Sequence, residues 1–391
     1  MHIAHLTLTN FRNYAQLQLS LPRQMVVLQG GNAQGKTNLL ESIYLLATAR
    51  SPLTTAEREF IRWQAWQEMI AVARLTAQVC RAGDEINLEI TLKGDSRPDG
   101  PQAGLVIKQI KVNGLPRRAT DVVGMVNVVM FTAQDIELVG GAPALRRRYI
   151  DVTLCQVDNH YLRFLQAYNK VLLQRNHLLR LIQGREAQPA ELKFWDDELV
   201  EQGSYLVVER RRLIAELNKR AKVVHAQLAP GESLEILYLP NLGREIGQDL
   251  MQTRQAFRQA LGQAQGREIA AGKSLVGPHR DDLQFLNNGI DLGIYASRGQ
   301  QRTISLSVKL AEAGFFKDKR GDPPILLLDD VLSELDRQRR SYLMAWLADY
   351  EQVLITTTEL ELLPPECLTK ATVFQVCQGN INPSGRFNRV Y

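Results

Sequence analysis

Cysteine is sparse and scattered. Cys80, Cys155, Cys367 and Cys377 form no C-x-x-C pair, which argues against a disulfide framework and against a zinc site. A reducing cytosol suits such a chain, and a cytoplasmic location is expected. Histidine is equally thin: none of the six falls in an H-E-x-x-H pattern or a readable triad, so metalloprotease and serine-hydrolase chemistry find no footing. No window holds eighteen uninterrupted apolar residues, and the opening MHIAHLTLTNFRNY has no basic stretch leading into an apolar one. The chain is therefore expected to be neither exported nor membrane-spanning. Sustained heptads, internal repeats and low-complexity tracts are absent too, which excludes a long coiled coil and a solenoid. Charge of one sign gathers in no tail. The net charge of +5 comes in short clusters, Arg117-Arg118, Arg146-Arg147-Arg148 and Arg210-Arg211-Arg212, read as solvated faces of folded segments. This mild basic bias fits a polyanionic partner without demanding one.

What is present is an ordinary globular composition, 45% apolar and 23% charged, over 391 residues. That length predicts two lobes, or one domain with a large insertion. Alternating segments predict strands at His2 to Thr9, Gln16 to Leu21, Ile70 to Val79, Ile86 to Leu92, Val106 to Val112 and Val126 to Phe131. With the short apolar run Met25 to Gln29 and the helix after Gly35, these read as a βαβ unit with antiparallel additions. From Asp151 to Gln183 and from Ala190 to Leu228 the apolar spacing turns helical, predicting two long antiparallel helices with a break at Gly184 to Pro189. After Ala270 strands and helices alternate again, and Ile325-Leu326-Leu327-Leu328 reads as a central parallel strand. The expected organisation is an α/β nucleotide-binding lobe, 1–135 and 272–391, interrupted by a mainly helical lobe at 136–271.

The chemistry concentrates in Gly30-Gly31-Asn32-Ala33-Gln34-Gly35-Lys36-Thr37, which satisfies G-x-x-x-x-G-K-[ST] between an apolar strand and a helix. Glycines let successive amides turn toward phosphates. Lys36 reaches the β and γ oxygens, and the Thr37 hydroxyl suits Mg²⁺. ATP and Mg²⁺ are thus the expected ligands. The apolar strand ending in Asp329-Asp330 supplies the second element: Asp329 to hold the ion through water, and Asp330 to orient or deprotonate the attacking water.

Ser297-Arg298-Gly299-Gln300-Gln301-Arg302, ahead of a helix from Thr303 to Phe316, resembles the signature loop of ABC-type ATPases. That resemblance implies that Ser297, Gly299 and Gln300 meet the γ-phosphate of ATP held by a second copy, at a helix start suited to anions. Asp336, in Ser333-Glu334-Leu335-Asp336, matches the family's D-loop, and Gln134 takes a Q-loop position with a catalytic and ion-binding role. After Val353 to Ile355, where the family usually places a switch histidine, Thr356-Thr357-Thr358-Glu359 offers only hydroxyls, and slow hydrolysis is expected.

Three further stretches resemble the RecF family: Asn10-Phe11-Arg12-Asn13-Tyr14, Gly140 to Asp151, and Val276-Gly277-Pro278-His279-Arg280-Asp281-Asp282, all in the family's order. Ala133 and Gln134 depart from it, standing where the family usually has Pro and an acid. The resemblance implies a P-loop ABC/SMC-like ATPase head with a short helical second lobe. It places Arg12 and Asn13 near nucleotide phosphates. It also implies a homodimer formed on ATP, binding to single-stranded, gapped or duplex DNA, cooperation with a RecR-type mediator, and a part in recombinase loading. Two other readings of the nucleotide motifs stay open: the ATPase subunit of a membrane transporter, and a non-hydrolysing ATP-gated structural dimer.

Overall fold

Burial of one face explains the first strand, β1 (His2–Phe11), whose Ile3, Leu6, Leu8 and Phe11 are all at most 1% exposed. Their spacing is uneven; a register shift between Ile3 and His5 and a left-handed Asn10 (φ 50°) keep them on one side. The chain continues through β2 (Tyr14–Ser20), β3 (Met25–Gln29), α1 (Lys36–Thr48), β4 (Ile70–Arg81), β5 (Asp84–Asp95), β6 (Val106–Val112), β7 (Leu115–Arg117) and β8 (Val128–Thr132). The strands predicted as additions to a βαβ unit form a sheet of their own. It has six antiparallel strands in the order β2-β1-β4-β5-β6-β7, because each is joined to its neighbour by hydrogen-bonded antiparallel pairing that β3 and β8 do not share. The computed structural model describes residues 1–54, 56–81, 83–95, 105–243 and 249–384.

By packing, the chain forms two units, Met1–Ala133 with Phe316–Tyr391, and Gln134–Phe315. The second contains α2 (Pro143–Val157), α3 (Asn159–Gln183), α4 (Leu192–Leu228), β9 (Glu235–Leu239), α5 (Leu250–Ala271), β10 (Asp282–Asn287), β11 (Ile290–Asp291) and the start of α6 (Arg298–Arg320). Here the structure departs from the expected boundary at 271/272. Residues 272–315 pack with the helices because β10 pairs with β9, and because Asp281 and Asp282 are bonded by Arg210 and Arg146. The predicted helix over Asp151 to Gln183 is broken at Asp158, which leaves helical geometry (φ −136°, ψ 102°) and caps α3 by accepting from the His160 amide. At 37 residues α4 runs about 55 Å. A third long helix, α5, was not among the predicted elements. Its docking is fixed by Arg175, fully buried on α3, which binds Asp196 of α4 at 2.7 Å and Glu268 of α5 at 2.6 Å. Among the described residues no helix is long and apolar enough to cross a membrane.

Two of the basic clusters are not wholly solvated. Arg210 is buried and donates to Asp151, Asp281 and the Pro278 carbonyl, while Arg146 holds Asp282. His279 belongs to the same buried region: its Nδ1 faces the Tyr168 hydroxyl at 2.6 Å and its Nε2 the Ser274 carbonyl at 3.2 Å. Burial, reinforced by Arg280, Arg147 and Arg175, pushes the His279 pKa down to about 4. A histidine depressed in the folded state contributes stability above its unfolded value, near 6.5, and loses it as pH falls toward the folded value. Unfolding free energy measured against pH should therefore drop between about 6.5 and 4, by on the order of 2 kcal/mol more in the wild type than in His279→Gln. Parallel curves for the two proteins would contradict this.

The chain closes with β12 (Ile325–Asp329), α7 (Arg337–Leu347), β13 (Val353–Thr357), β14 (Thr372–Cys377) and β15 (Asn380–Pro383). They build a second sheet, β15-β14-β3-β13-β12-β8, parallel throughout except for β15. Parallel strands covered on both faces read as unbroken apolar runs, and Ile325 to Leu328 are fully buried. Helix α1 packs on β4 and β5 of the first sheet and on β8, β12 and β13 of the second. It is thus buried around most of its circumference.

Candidate functional site

Register decides which residues meet at the carboxyl edge of the parallel sheet. Gln29 of β3 lies opposite Thr357 of β13, Thr356 lies opposite Asp329 of β12, and Asp329 lies opposite Thr132 of β8. Ligands of open α/β sheets bind at this edge. The loop from Gly30 leaves it and turns into α1 through Gly35, whose φ of 116° is left-handed and whose missing Cβ would stand 2.5 Å from Asn13 Nδ2. Any side chain there would be strained and would displace the Asn13 amide.

Lys36 curls back over its own loop. Its Nζ donates to the carbonyls of Gly30 at 2.5 Å and Gly31 at 2.7 Å. Burial lowers its pKa, against the opposing pull of Asp330 and Asp329. The Thr37 hydroxyl donates to Asp329 across 292 residues of sequence, 2.9 Å to Oδ1 and 2.8 Å to Oδ2. Thr356 adds a second clamp, its hydroxyl donating to Asp329 Oδ1 at 2.8 Å and accepting from the Asp330 amide at 2.9 Å. Desolvation raises the Asp329 pKa, with the neighbouring Asp330 adding to it while the two threonine hydrogen bonds and Lys36 oppose. Asp330 itself adopts a left-handed backbone (φ 52°), and its Oδ1 is buried without a hydrogen-bond partner among the described residues. A buried carboxylate oxygen left unbonded at such an edge calls for a cation or a water.

The remaining predicted residues are placed as follows. Arg12 forms a bidentate pair with Glu41 of α1, both bonds 2.8 Å, and lies over the Phe60 ring. Sandwiching α1 between two sheets leaves Glu41 fully buried, so its charge requires this partner. Both amide atoms of Asn13 are bonded within the chain, to the Gln34 carbonyl and to Asn38. Asn32 and Ala33 are exposed in the loop, where the Asn32 carbonyl accepts from Gln34 Nε2. Gln134 sits exposed in the short turn Ala133–Ile136, in the second unit. Ser297, exposed like Gly299, caps α6 reciprocally with Gln300, each amide donating to the other's side chain. Asp336 caps α7. Glu41 and the clamping role of Thr356 have no motif signature. A buried acid within an apolar helix was the one available hint.

Comparison with known proteins covers nearly the whole chain. A family profile described as RecF/RecN/SMC N terminal domain matches residues 2–379. The DNA replication and repair protein RecF of Chloroflexus aurantiacus is 42% identical over 389 residues, covering 97% of this chain and 99% of that one. The chain belongs to the RecF family. Another RecF, from Halalkalibacterium halodurans, is 41% identical over 98% of this chain and 100% of its own length. A solved structure of the recombination mediator protein RecF with ATP, described as in the RecFOR pathway, superposes with a TM-score of 0.86 at 29% identity, covering 98% of this chain and 97% of that one. An Smc head, at 14% identity and a TM-score of 0.54 over 98% of both chains, shares the ATPase-head fold. The RecF-family stretch Val276 to Asp282 is thus, in this chain, part of a buried charge network. Asp281 accepts from Arg210, the Tyr238 hydroxyl and the Asn241 amide.

Proposed function

We propose that this RecF-family chain binds ATP with Mg²⁺ in the Gly30–Thr37 loop and uses it to join two copies that act on DNA during replication and repair. The observation that carries the reading is the Thr37–Asp329 contact, which sets a hydroxyl and a carboxylate side by side beneath the lysine loop. Thr37 and Asp329 would hold the ion. When bound, it neutralises charge developing on the transferred phosphoryl group. Lys36 is placed to face the β and γ oxygens. Asp330, with its unbonded Oδ1, is assigned to orienting the attacking water and accepting its proton. Ser297 and Gly299 are assigned to the nucleotide held by the second copy. Names and structures of relatives support the wider role: a replication and repair protein, and a recombination mediator solved with ATP. Partnership with a RecR-type mediator and assistance in loading recombinase on single-stranded DNA complete the proposal.

Thr356-Thr357-Thr358-Glu359 stands where related ATPases usually place a switch histidine, and the Thr356 hydroxyl is already bonded to Asp329 and to the Asp330 amide. Turnover should fall well below the roughly 10 per second typical of enzymes. A steady-state assay with saturating ATP checks this, and a rate at or above that level would refute it.

Sizing the purified protein with and without ATP, in the presence and absence of short duplex DNA, tests the central claim. A dimer that forms only with ATP is expected. DNA affinity of that dimer should fall with salt, with a log–log slope of about 0.9 per phosphate contacted. A flat salt response, or a size indifferent to ATP, would count against the proposal. Copurification with a permease would favour a transporter subunit instead.

A further inference from the structure

We propose that the amides of Gly35 and Lys36 are aimed at the triphosphate by residues outside the lysine-loop pattern: Asn13, Tyr14 and the Gln378–Gly379 turn between β14 and β15. The inference rests on the nucleotide reading above and adds positioning residues to it. In a trans peptide the carbonyl and the following N–H point in opposite directions, so holding a carbonyl on one side fixes its amide on the other. No cis peptide is present among the described residues.

Two hairpin turns hold the Gln34 peptide. Its carbonyl accepts from Asn13 Nδ2 at 3.0 Å and from the Gly379 amide at 3.0 Å, while its side-chain Oε1 accepts from the Gln378 amide at 2.9 Å. The N–H turned away by this arrangement is that of Gly35. The next carbonyl, Gly35, accepts from the Tyr14 hydroxyl at 2.9 Å and from the Leu39 amide at 3.0 Å, which directs the Lys36 N–H out of the start of α1. Such successive amides at a helix start form the anion cradle. Asn38 donates to Asn13 Oδ1 at 2.8 Å, so the Asn13 amide group is fixed with its nitrogen toward Gln34. Contact among the three segments is tight: a Cβ on Gly379, at φ 77°, would stand 2.6 Å from the Asn13 carbonyl oxygen. Tyr14 is fully buried, and burial keeps its phenol protonated as a donor.

Such bonds would also be found if the two turns merely stitched the fold, and the test separates the cases. Dissociation constants for ATP and for inorganic tripolyphosphate are measured on the full chain as wild type, Tyr14→Phe and Gly379→Ala, together with thermal unfolding midpoints. Aiming predicts that both ligands weaken by the same factor, about five- to tenfold for Tyr14→Phe, the loss of one hydrogen bond. Gly379→Ala should weaken both at least as much, since it displaces the turn from the Gln34 carbonyl, and it carries the test if Tyr14→Phe fails to fold. Lower midpoints with both affinities within twofold of wild type would overturn the inference and leave the nucleotide reading standing. A wild type that binds no ATP would overturn both.

Discussion

Lys36→Ala should abolish ATP binding at micromolar nucleotide and, with it, ATP-dependent dimerisation. Lys36 is 7% exposed, and its ammonium is held in place by the carbonyls of Gly30 and Gly31. Its orientation is therefore set before any nucleotide arrives. A positioned, desolvated cation facing a polyanion makes charge-assisted hydrogen bonds worth roughly 1.5–3 kcal/mol each, and more than one is lost on truncation. Removal also leaves Asp329 and Asp330 without the cation that opposes their charge, so the loop becomes less hospitable to phosphate. Together these predict a loss in affinity on the order of a hundredfold or more. Titration calorimetry reads the affinity and size-exclusion chromatography the assembly. An affinity within a few-fold of wild type would remove the loop from the mechanism.

Asp330→Asn should leave binding intact and trap the dimer. The substitution keeps the side chain's shape, and asparagine is among the residues that tolerate the left-handed backbone found there, φ 52°. The Asp330 amide keeps its bond to Thr356. What is lost is the charge on a buried oxygen that accepts no hydrogen bond among the described residues. A base that accepts a proton in the transition state contributes about 10²- to 10⁴-fold, so turnover should fall by roughly that factor. Because the nucleotide then persists, the ATP-induced dimer should outlive that of the wild type when followed by size over time. Normal hydrolysis by this variant would show that Asp330 is not the base.

Much of the site is legible in the amino-acid sequence. The lysine loop needs an apolar strand before it and a helix after it, and β3 and α1 supply them at Met25–Gln29 and Lys36–Thr48. Four apolar residues before Asp329 indicate a strand covered on both faces. Other features are not legible there, for reasons that can be named. The break at Asp158 costs a helix only one turn, and the apolar spacing continues across it with little change. Nothing in the sequence around Arg12 points to Glu41 as a partner. Its choice follows from α1 lying between two sheets, which buries an acid that must then be neutralised. Arg146 and Arg210 sit in clusters that resemble solvated faces, and only the packing of β10 against the helical unit brings Asp281 and Asp282 to them.

The amino-acid order alone determined the local elements: strand alternation, helical periodicity, and a glycine-rich turn that can present amides to an anion. Each depends on neighbours a few residues away, where backbone sterics and side-chain period dominate. Only the tertiary structure decided that Thr37 meets Asp329, that Thr356 clamps the same carboxylate, and that the turn at Gly379 touches Asn13. Those pairings follow from strand order and register in a parallel sheet. There, hydrogen bonding between distant segments sets which side chains reach a common edge.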